Sequence, residues 1–217
     1  AGVNPSASPP ENRFGSRLVP ETNALSGYFK QLHALFINQG TVPAKHPEKL
    51  NIMMLYILRL LQLSTGMRPV RDRLPQWADI SLQSRTIRLS DKDNLRFYES
   101  RIIPLATNVF HWLNYYSHMQ RKHFMTFHLK NLLPAYKDHP TESMFSYIDT
   151  EGKVILPFTF SNIEKLEQEN DLSSLFPFKP NALRHHLLTR MNENKVDQHI
   201  IDFLKGHKHT GSETFGR

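Results

Sequence analysis

The residues best suited to chemistry in this sequence are arginines and histidines placed beside helix stops. ALRHH, residues 182–186, is the clearest case. Advancing about 100° per residue from Leu183, Leu187 falls at about 40°, Met191 at about 80° and Leu188 at about 140°. Arg184 falls at about 100°, inside that apolar arc. A charge there is expensive unless it is paired or faces an anion. Arg184 is therefore either half of a buried arginine–carboxylate pair or a guanidinium aimed into a site, with His185 beside it. Asn181, directly after Pro180, reads by default as the N-cap of this helix.

FLKGHKHTG gives the second signal. Gly206 suits a helix-ending position, and His207 follows it immediately. A turn-borne His behind a rigid helix can donate a proton or a hydrogen bond. The alternative is a solvated loop residue. A metal reading of His207 and His209 lacks further ligands: His185 and His186 point to different helix faces, and no HExxH pattern exists. The third signal is STGMRPV, residues 64–70, where Arg68 follows a Gly-marked stop. The fourth is Lys92, the sole Lys between Gln83 and Leu105. Out of context, Arg68 is a surface turn residue and Lys92 a solvated hairpin residue.

The elements that must position these groups follow from periodicity. Leu25, Tyr28, Phe29, Leu32, Leu35 and Phe36 recur at helical spacing from Asn23 to about Asn38. GTVPAKHP breaks the pattern. Pro47 suits an early position in the next helix, which Thr65-Gly66 ends. ADISLQ, TIRLSD and SRIIPL read as three short strands, with Ile80, Leu82, Ile87 and Leu89 alternating with polar residues. Lys92 lies at the tip of the hairpin joining the last two. A long helix is expected from Ala106 to about Asn131, carrying Phe110, Leu113, Tyr116 and Met119. The stretch 132–180, with five prolines, reads as irregular, though Asp149-Thr150-Glu151-Gly152 could turn a small hairpin. Two helices close the chain, Asn181–Asn194 and Val196–Lys205. The second is expected to bury Val196, Ile200, Phe203 and Leu204. The fold class is α+β, mainly helical with a small three-stranded antiparallel sheet. Residues 1–22 read as a flexible lead and 23–217 as one domain.

Composition narrows the function. Lys plus Arg total 27 against 20 for Asp plus Glu, a formal charge of +7 over 217 residues, and the pI is about 9.6. That balance suits a polyanionic partner, either nucleic acid or an anionic membrane face, with solubility alone as the bland reading. Absence of cysteine excludes disulfides, Cys-ligated zinc, thiol catalysis and iron–sulfur chemistry, and is compatible with a reducing compartment. The opening AGVNPSASPPENRFGS carries no signal-peptide pattern. It lacks an initial Met, and Ala1-Gly2 reads as a processing scar or junction. The most apolar run, Asn51 to Ser64, is interrupted by Arg59 and Gln62 and is too short to span a bilayer. It reads as a buried core helix.

Taken in order, TGMRP, WADI, strand–Lys–strand ending in RIIPL, ALRHH and GH resemble the tyrosine recombinase (phage integrase) catalytic domain, over about residues 47–217. Asp79 closes a segment like that family's W.DI stretch, and Ile103-Pro104-Leu105 resembles its IPL strand end. The resemblance implies that Arg68 and Arg184 clamp the scissile phosphate. It implies that Lys92 helps protonate the leaving 5′-oxygen and that His207 is the histidine of the family's LGH box. Paired guanidiniums suit this chemistry, because attack on a phosphodiester builds negative charge on the non-bridging oxygens. No metal and no cofactor are implied. Arg68, Arg71, Lys92, Arg184, His185, Lys208 and His209 are the DNA-facing candidates.

Three positions depart from the family pattern. Asn181 stands at the His position of the H-x-x-R motif. Arg71 stands at the acidic position after the first Arg, with Asp72 one residue later. The nucleophilic Tyr is expected about nine residues after His207, where SETFGR offers Phe215 one residue short and residues 210–217 contain no Tyr. Three explanations remain open: a Tyr replaced by Phe, a Tyr beyond Arg217, or natural loss of the hydroxyl. The resemblance implies a site-specific recombinase of a mobile element, acting on double-stranded DNA through a 3′-phosphotyrosyl link, with this chain cleavage-deficient. It further implies a tetramer on paired sites, a bacterial-type cytoplasmic, nucleoid-associated setting, no membrane contact, and a fragment whose separate N-terminal DNA-grasping domain is missing. Two other readings stay open: a non-catalytic DNA-binding relative of this fold, and a metal-free phosphatase-like enzyme using Arg184 and the histidines.

Overall fold

The apolar run beginning at Lys49 organises the molecule. In the computed structural model, which describes residues 22–40, 49–68, 74–90, 100–129, 143–149, 154–175 and 181–206, that run is one helix buried on nearly every side. The elements are α1 (Thr22–Gly40), α2 (Lys49–Thr65), a 3₁₀ turn (Trp77–Asp79), β1 (Ile80–Ser81), β2 (Thr86–Leu89), β3 (Arg101–Pro104) and α3 (Thr107–Leu129). Then follow β4 (Ser146–Asp149), β5 (Val154–Pro157), α4 (Phe160–Glu169), α5 (Ala182–Glu193) and α6 (Gln198–Lys205). Helix α2 packs against α1, α3, α4, α5 and β4. Its Met53, Met54, Leu55, Ile57, Leu58 and Leu61 are all buried. Each such side chain contributes about 1.5–3 kcal/mol relative to exposure.

The three-stranded sheet is antiparallel in the order β1-β2-β3, with Ile80 opposite Ile87 and Leu89 opposite Arg101. Period-two alternation turns Ile87, Leu89 and Ile103 to the buried face. The expected strand through Leu82 is shorter than its pattern suggests. Only Ile80–Ser81 pairs, and Leu82 is exposed in the turn that follows. Arg85 closes that turn at φ 53°, and its carbonyl accepts from the Leu105 amide at 2.8 Å. Asp79 braces the start of this sheet, where its carboxylate accepts from the Gln76 amide at 3.0 Å and from Arg88 Nη2 at 2.8 Å.

A second sheet pairs the hairpin strands β4 and β5 antiparallel, Asp149 opposite Val154, while residues 150–153 between them lie outside the described residues. The reading of 132–180 as irregular is overturned by this hairpin and by α4. Thr159 starts α4: its hydroxyl accepts from the Asn162 amide, while the Thr159 amide donates to Asn162 Oδ1 at 2.9 Å. Ile163 and Leu166 turn inward. Strand β4 is fastened to α2 by an amide pair. Asn51 Nδ2 donates to the Ile148 carbonyl at 2.9 Å, and the Ile148 amide donates to Asn51 Oδ1 at 2.8 Å. A buried side-chain amide thus stands in for a neighbouring strand.

The remaining expectations divide in two. Helices α1, α2, α3 and α5 occupy their expected segments to within a few residues. The expected stripe on α6 is wrong: Ile200 and Phe203 are 51% and 46% exposed, and Ile201 is the buried residue. Asp197 caps α6 by accepting from the His199 amide at 2.7 Å, so the helix starts at Gln198 rather than Val196. Helix α6 packs on α5, and one narrow ridge, Ile201 with half-buried Leu204, is covered. Of the expected lead at 1–22, Thr22 opens α1, and residues 1–21, like Pro47, lie outside the described residues.

Candidate active site

Two helix ends and one guanidinium meet at a single point. Helix α2 stops because Gly66 takes φ +64°, a conformation that disfavours any residue with a Cβ. Thr65 reinforces the stop. Its hydroxyl donates to the Leu61 carbonyl at 2.7 Å and accepts from the Met67 amide at 3.3 Å. Half-buried Arg68 follows two residues after Gly66. Helix α6 stops the same way, with Gly206 at φ 65°, ψ 32° and its amide donating to the Phe203 carbonyl at 2.8 Å.

Arg184 lies between these stops and is 6% exposed, as its place in the apolar arc of α5 requires. Its Nη1 donates to the Gly66 carbonyl and to the Leu204 carbonyl at 3.5 Å. Its Nη2 donates to the Lys205 carbonyl at 2.9 Å. A Cβ built on Gly66 would lie 3.4 Å from Leu187 Cδ2 and 4.0 Å from Arg184 Cγ, so α2 ends directly against α5. Three carbonyls that this cation reaches thus lie at, or one residue past, two helix C-termini. Each C-terminus carries the equivalent of roughly −0.5 charge, so two converging ends supply about one negative charge. A buried guanidinium is thereby held in a fixed orientation among partial charges.

The other candidates are distributed around this point. Sequence places His207 two residues past Lys205, but His207, Lys208, His209 and Phe215 lie outside the described residues, as does Arg71. Lys92 lies in the β2–β3 connection, where residues 91–99 are likewise outside; the pairing of Leu89 with Arg101 confirms that the connection joins two antiparallel neighbours. Half-buried His185 and exposed Asn181 stand at the N-terminal end of α5. The default assignment of Asn181 as a side-chain cap is corrected. Its backbone is helical, φ −86° and ψ 0°, which turns the amide side chain away from a capping geometry, and it makes no capping hydrogen bond. Its carbonyl accepts from the His185 amide at 3.0 Å. The sequence reading missed Gly66, Leu204 and Lys205 as members of the site. Both glycine stops were visible, but carbonyl groups leave no trace in residue type.

Among the described residues, no three His, Asp or Glu side chains are grouped to hold a metal ion, and no helix is long and apolar enough to cross a membrane.

Comparison with solved structures places this geometry. The XerA recombinase superposes with a TM-score of 0.54 at 16% identity, covering 88% of this chain and 57% of that one. The Tn1549 transposon integrase in complex with a circular intermediate DNA gives 0.53 at 16% identity, covering 92% and 60%. The same integrase in complex with transposon right end DNA gives 0.50, also at 16% identity, covering 92% and 61%. At such identity the likeness is one of fold, and it matches the expected mainly helical α+β class. This chain spans about three-fifths of the length of those proteins. No curated protein matches the sequence. The family model described as the phage integrase family matches residues 30–213, and over that span, most of its length, the chain belongs to the phage integrase family.

Proposed function

We propose that this chain is the catalytic domain of a site-specific tyrosine-type DNA recombinase, residues 23–217 forming the domain. The observation that carries the reading is the buried Arg184 guanidinium at the junction of two helix ends, one leading to Arg68 and the other to His207. A phosphodiester under attack gains charge on its non-bridging oxygens, and rigidly held guanidiniums meet that charge without reorganising. Arg68 and Arg184 are assigned to those oxygens. Lys92 is assigned to deliver a proton to the leaving 5′-oxygen and His207 to donate a hydrogen bond to the phosphate. Asn181 replaces a titratable His with an amide that can donate a hydrogen bond but not a proton. Arg71, His185, Lys208 and His209 are assigned to the DNA backbone.

The chemistry is a transesterification. A phenolate oxygen bonds to phosphorus, the bond from phosphorus to the 5′-oxygen breaks, and that oxygen takes a proton. The 3′-phosphotyrosyl link conserves the bond for resealing. Position 215 is assigned to the nucleophile, where this chain carries Phe, so the chain as it stands binds but does not cut. Double-stranded DNA is the proposed partner, with four copies assembling on paired sites in a bacterial cytoplasm. The DNA complexes of the Tn1549 integrase support the first of these.

The test is a duplex carrying a nick beside the scissile phosphate, incubated with this chain and with Phe215→Tyr. The expected result is a covalent protein–DNA band from Phe215→Tyr alone. A band from the unchanged chain would contradict the assignment of position 215. No band from Phe215→Tyr on a site it binds would remove position 215 as the nucleophile and favour a Tyr elsewhere or the non-catalytic DNA-binding relative, since the unchanged chain has no phenol there to form a covalent intermediate.

A further inference from the structure

We propose that Arg184 is also a positioning residue, a joint that locks the C-terminal ends of α2 and α6 to each other, so that Arg68, two residues past Gly66, and the end of α6 are set before any phosphate arrives. The inference rests on the recombinase reading only for the identity of the groups positioned. The joint itself is argued from the DNA-free protein.

Three features carry it. First, the bonds cross the whole junction: Nη1 reaches Gly66, after α2, while Nη1 and Nη2 reach Leu204 and Lys205, at the end of α6. A planar guanidinium can address acceptors on two sides at once, whereas a Lys ammonium is a point charge on a flexible stem. Second, both acceptor segments end in left-handed glycines, Gly66 and Gly206. Those turns aim the terminal carbonyls at Arg184 rather than continuing the helix. Third, the junction is packed. Met67 is 1% exposed, and Leu187 sits against Gly66, so the Gly66 carbonyl cannot be rehydrated without opening the contact between α2 and α5, while the Leu204 and Lys205 carbonyls are half-buried. An unpaired buried carbonyl costs the desolvation penalty of that group, so removing Arg184 loosens both ends together.

This separates two roles that an activity assay merges. If Arg184 only touched phosphate, its removal would leave the DNA-free protein unaltered. If it is the joint, its removal changes two segments far apart in sequence with no DNA present.

Hydrogen exchange on the full DNA-free chain tests this. Backbone exchange is followed over residues 62–68 and 200–206, with 110–120 of α3 as the internal reference. In Arg184→Ala, exchange in both segments is expected to rise about tenfold relative to α3. Millimolar methylguanidinium, which refills the position, is expected to restore protection in both. Arg184→Lys is expected to restore at most one segment. Wild-type exchange in both segments of Arg184→Ala, or loosening of one alone, would overturn the joint. Should Arg184→Ala fail to fold, Gly66→Ala decides. It strains the φ of +64° and displaces the Gly66 carbonyl while leaving Arg184 in place. A Cβ there would also lie 4.0 Å from the Leu204 carbonyl, so a rise over 200–206 supports the joint only if Arg184→Lys raises exchange in that segment too; unchanged exchange over 200–206 in Gly66→Ala overturns the proposal.

A second readout uses DNA. In the Phe215→Tyr background, Gly66→Ala is expected to slow adduct formation at saturating nicked site about tenfold while affinity stays within about twofold, because orientation and not binding is disturbed. Unchanged adduct formation would also overturn the joint. If Phe215→Tyr itself forms no adduct, the assignment of position 215 fails, and the exchange experiment alone decides the joint.

Discussion

Arg59 and Arg184 are buried to nearly the same depth, 4% and 6% exposed, yet they are held in different ways. Arg59 Nε and Nη2 both donate to Glu167 Oε1, at 3.0 and 2.7 Å. The Tyr28 hydroxyl donates to the same oxygen at 2.6 Å, and Arg59 Nη1 donates to Gln62 Oε1 at 3.0 Å. A full counter-charge closes that site, and the network ties α1, α2 and α4 together. The described partners of Arg184 are carbonyl oxygens. Donation to carbonyls at two helix ends fixes the orientation of its guanidinium. A cation closed by a carboxylate is suited to architecture, whereas one braced by helix ends is suited to recognition.

The largest effect is expected from breaking the closed site. Glu167→Leu leaves a buried guanidinium without its counter-charge and should cost about 3–5 kcal/mol of unfolding free energy in urea. The double change Arg59→Met with Glu167→Leu removes both charges and should recover most of that loss. A double variant as unstable as the single one would show that Arg59 acts through something other than its ion pair.

Arg184 should respond in the opposite sense, losing chemistry more than stability. In the Phe215→Tyr background, Arg184→Met is expected to lower adduct formation about 10²–10³-fold, the effect of removing one charge-stabilising donor. Its unfolding free energy should fall by about 1–3 kcal/mol, the penalty of unpaired buried acceptors. Equal activity with a large stability loss would make Arg184 a second Arg59. DNA binding sharpens the same contrast. With about six phosphates neutralised, affinity should fall with salt at a log–log slope of about −5. Arg184→Ala should reduce the slope by about 1, and Arg59→Met should leave it unchanged. A slope that moves equally in both variants would erase the distinction.

This contrast was half legible in the sequence. Arg184 announces itself because its helix is short and its apolar arc narrow, so a charge inside the arc is conspicuous. Arg59 was visible only as an interruption of an apolar run. Its carboxylate lies 108 residues away, on a helix whose start does not show the usual capping pattern: Thr159 is followed at the third position by Asn162 rather than Glu or Gln. Long-range pairing of a buried charge leaves no local signature. Neither do backbone carbonyls, so Gly66 could be read as a stop but not as an acceptor. The three strands were legible from alternation, and β2 pairs with β3 as expected, while Lys92 between them lies outside the described residues. The stripe on α6 was misread because eight residues carry two adjacent apolar ridges, Ile200 with Phe203 and Ile201 with Leu204. Packing on α5, rather than periodicity, selects between them.

The smallest expected effect is the alkaline response, and it too separates the two regions. Burial raises the Tyr28 hydroxyl well above its ordinary value; the Glu167 charge and hydrogen bond add to this, and Arg59 opposes it. Burial alone would lower Arg59, but Tyr28 and Glu167 outweigh it and the net direction is upward, so Arg59 keeps its proton as the pH rises. Tyr56 is pushed up to about 12 by burial, and Tyr116 is raised by burial as well. Between the ordinary tyrosine value of about 10 and these raised values, the unfolded chain has lost its phenolic protons while the folded chain keeps them. The folded state then binds more protons, so stability falls as pH rises. The contribution is complete below about pH 10 and is lost as pH climbs through the folded values. Urea midpoints at about pH 9, 10 and 11 should therefore decline. The decline should be shallower in Tyr28→Phe, which has no phenol to titrate beside Glu167. The same series in Arg184→Met should keep the wild-type steepness, because that change leaves Tyr28, Tyr56 and Tyr116 in place. A Tyr28→Phe series as steep as wild type would remove Tyr28 from the charge balance around Arg59.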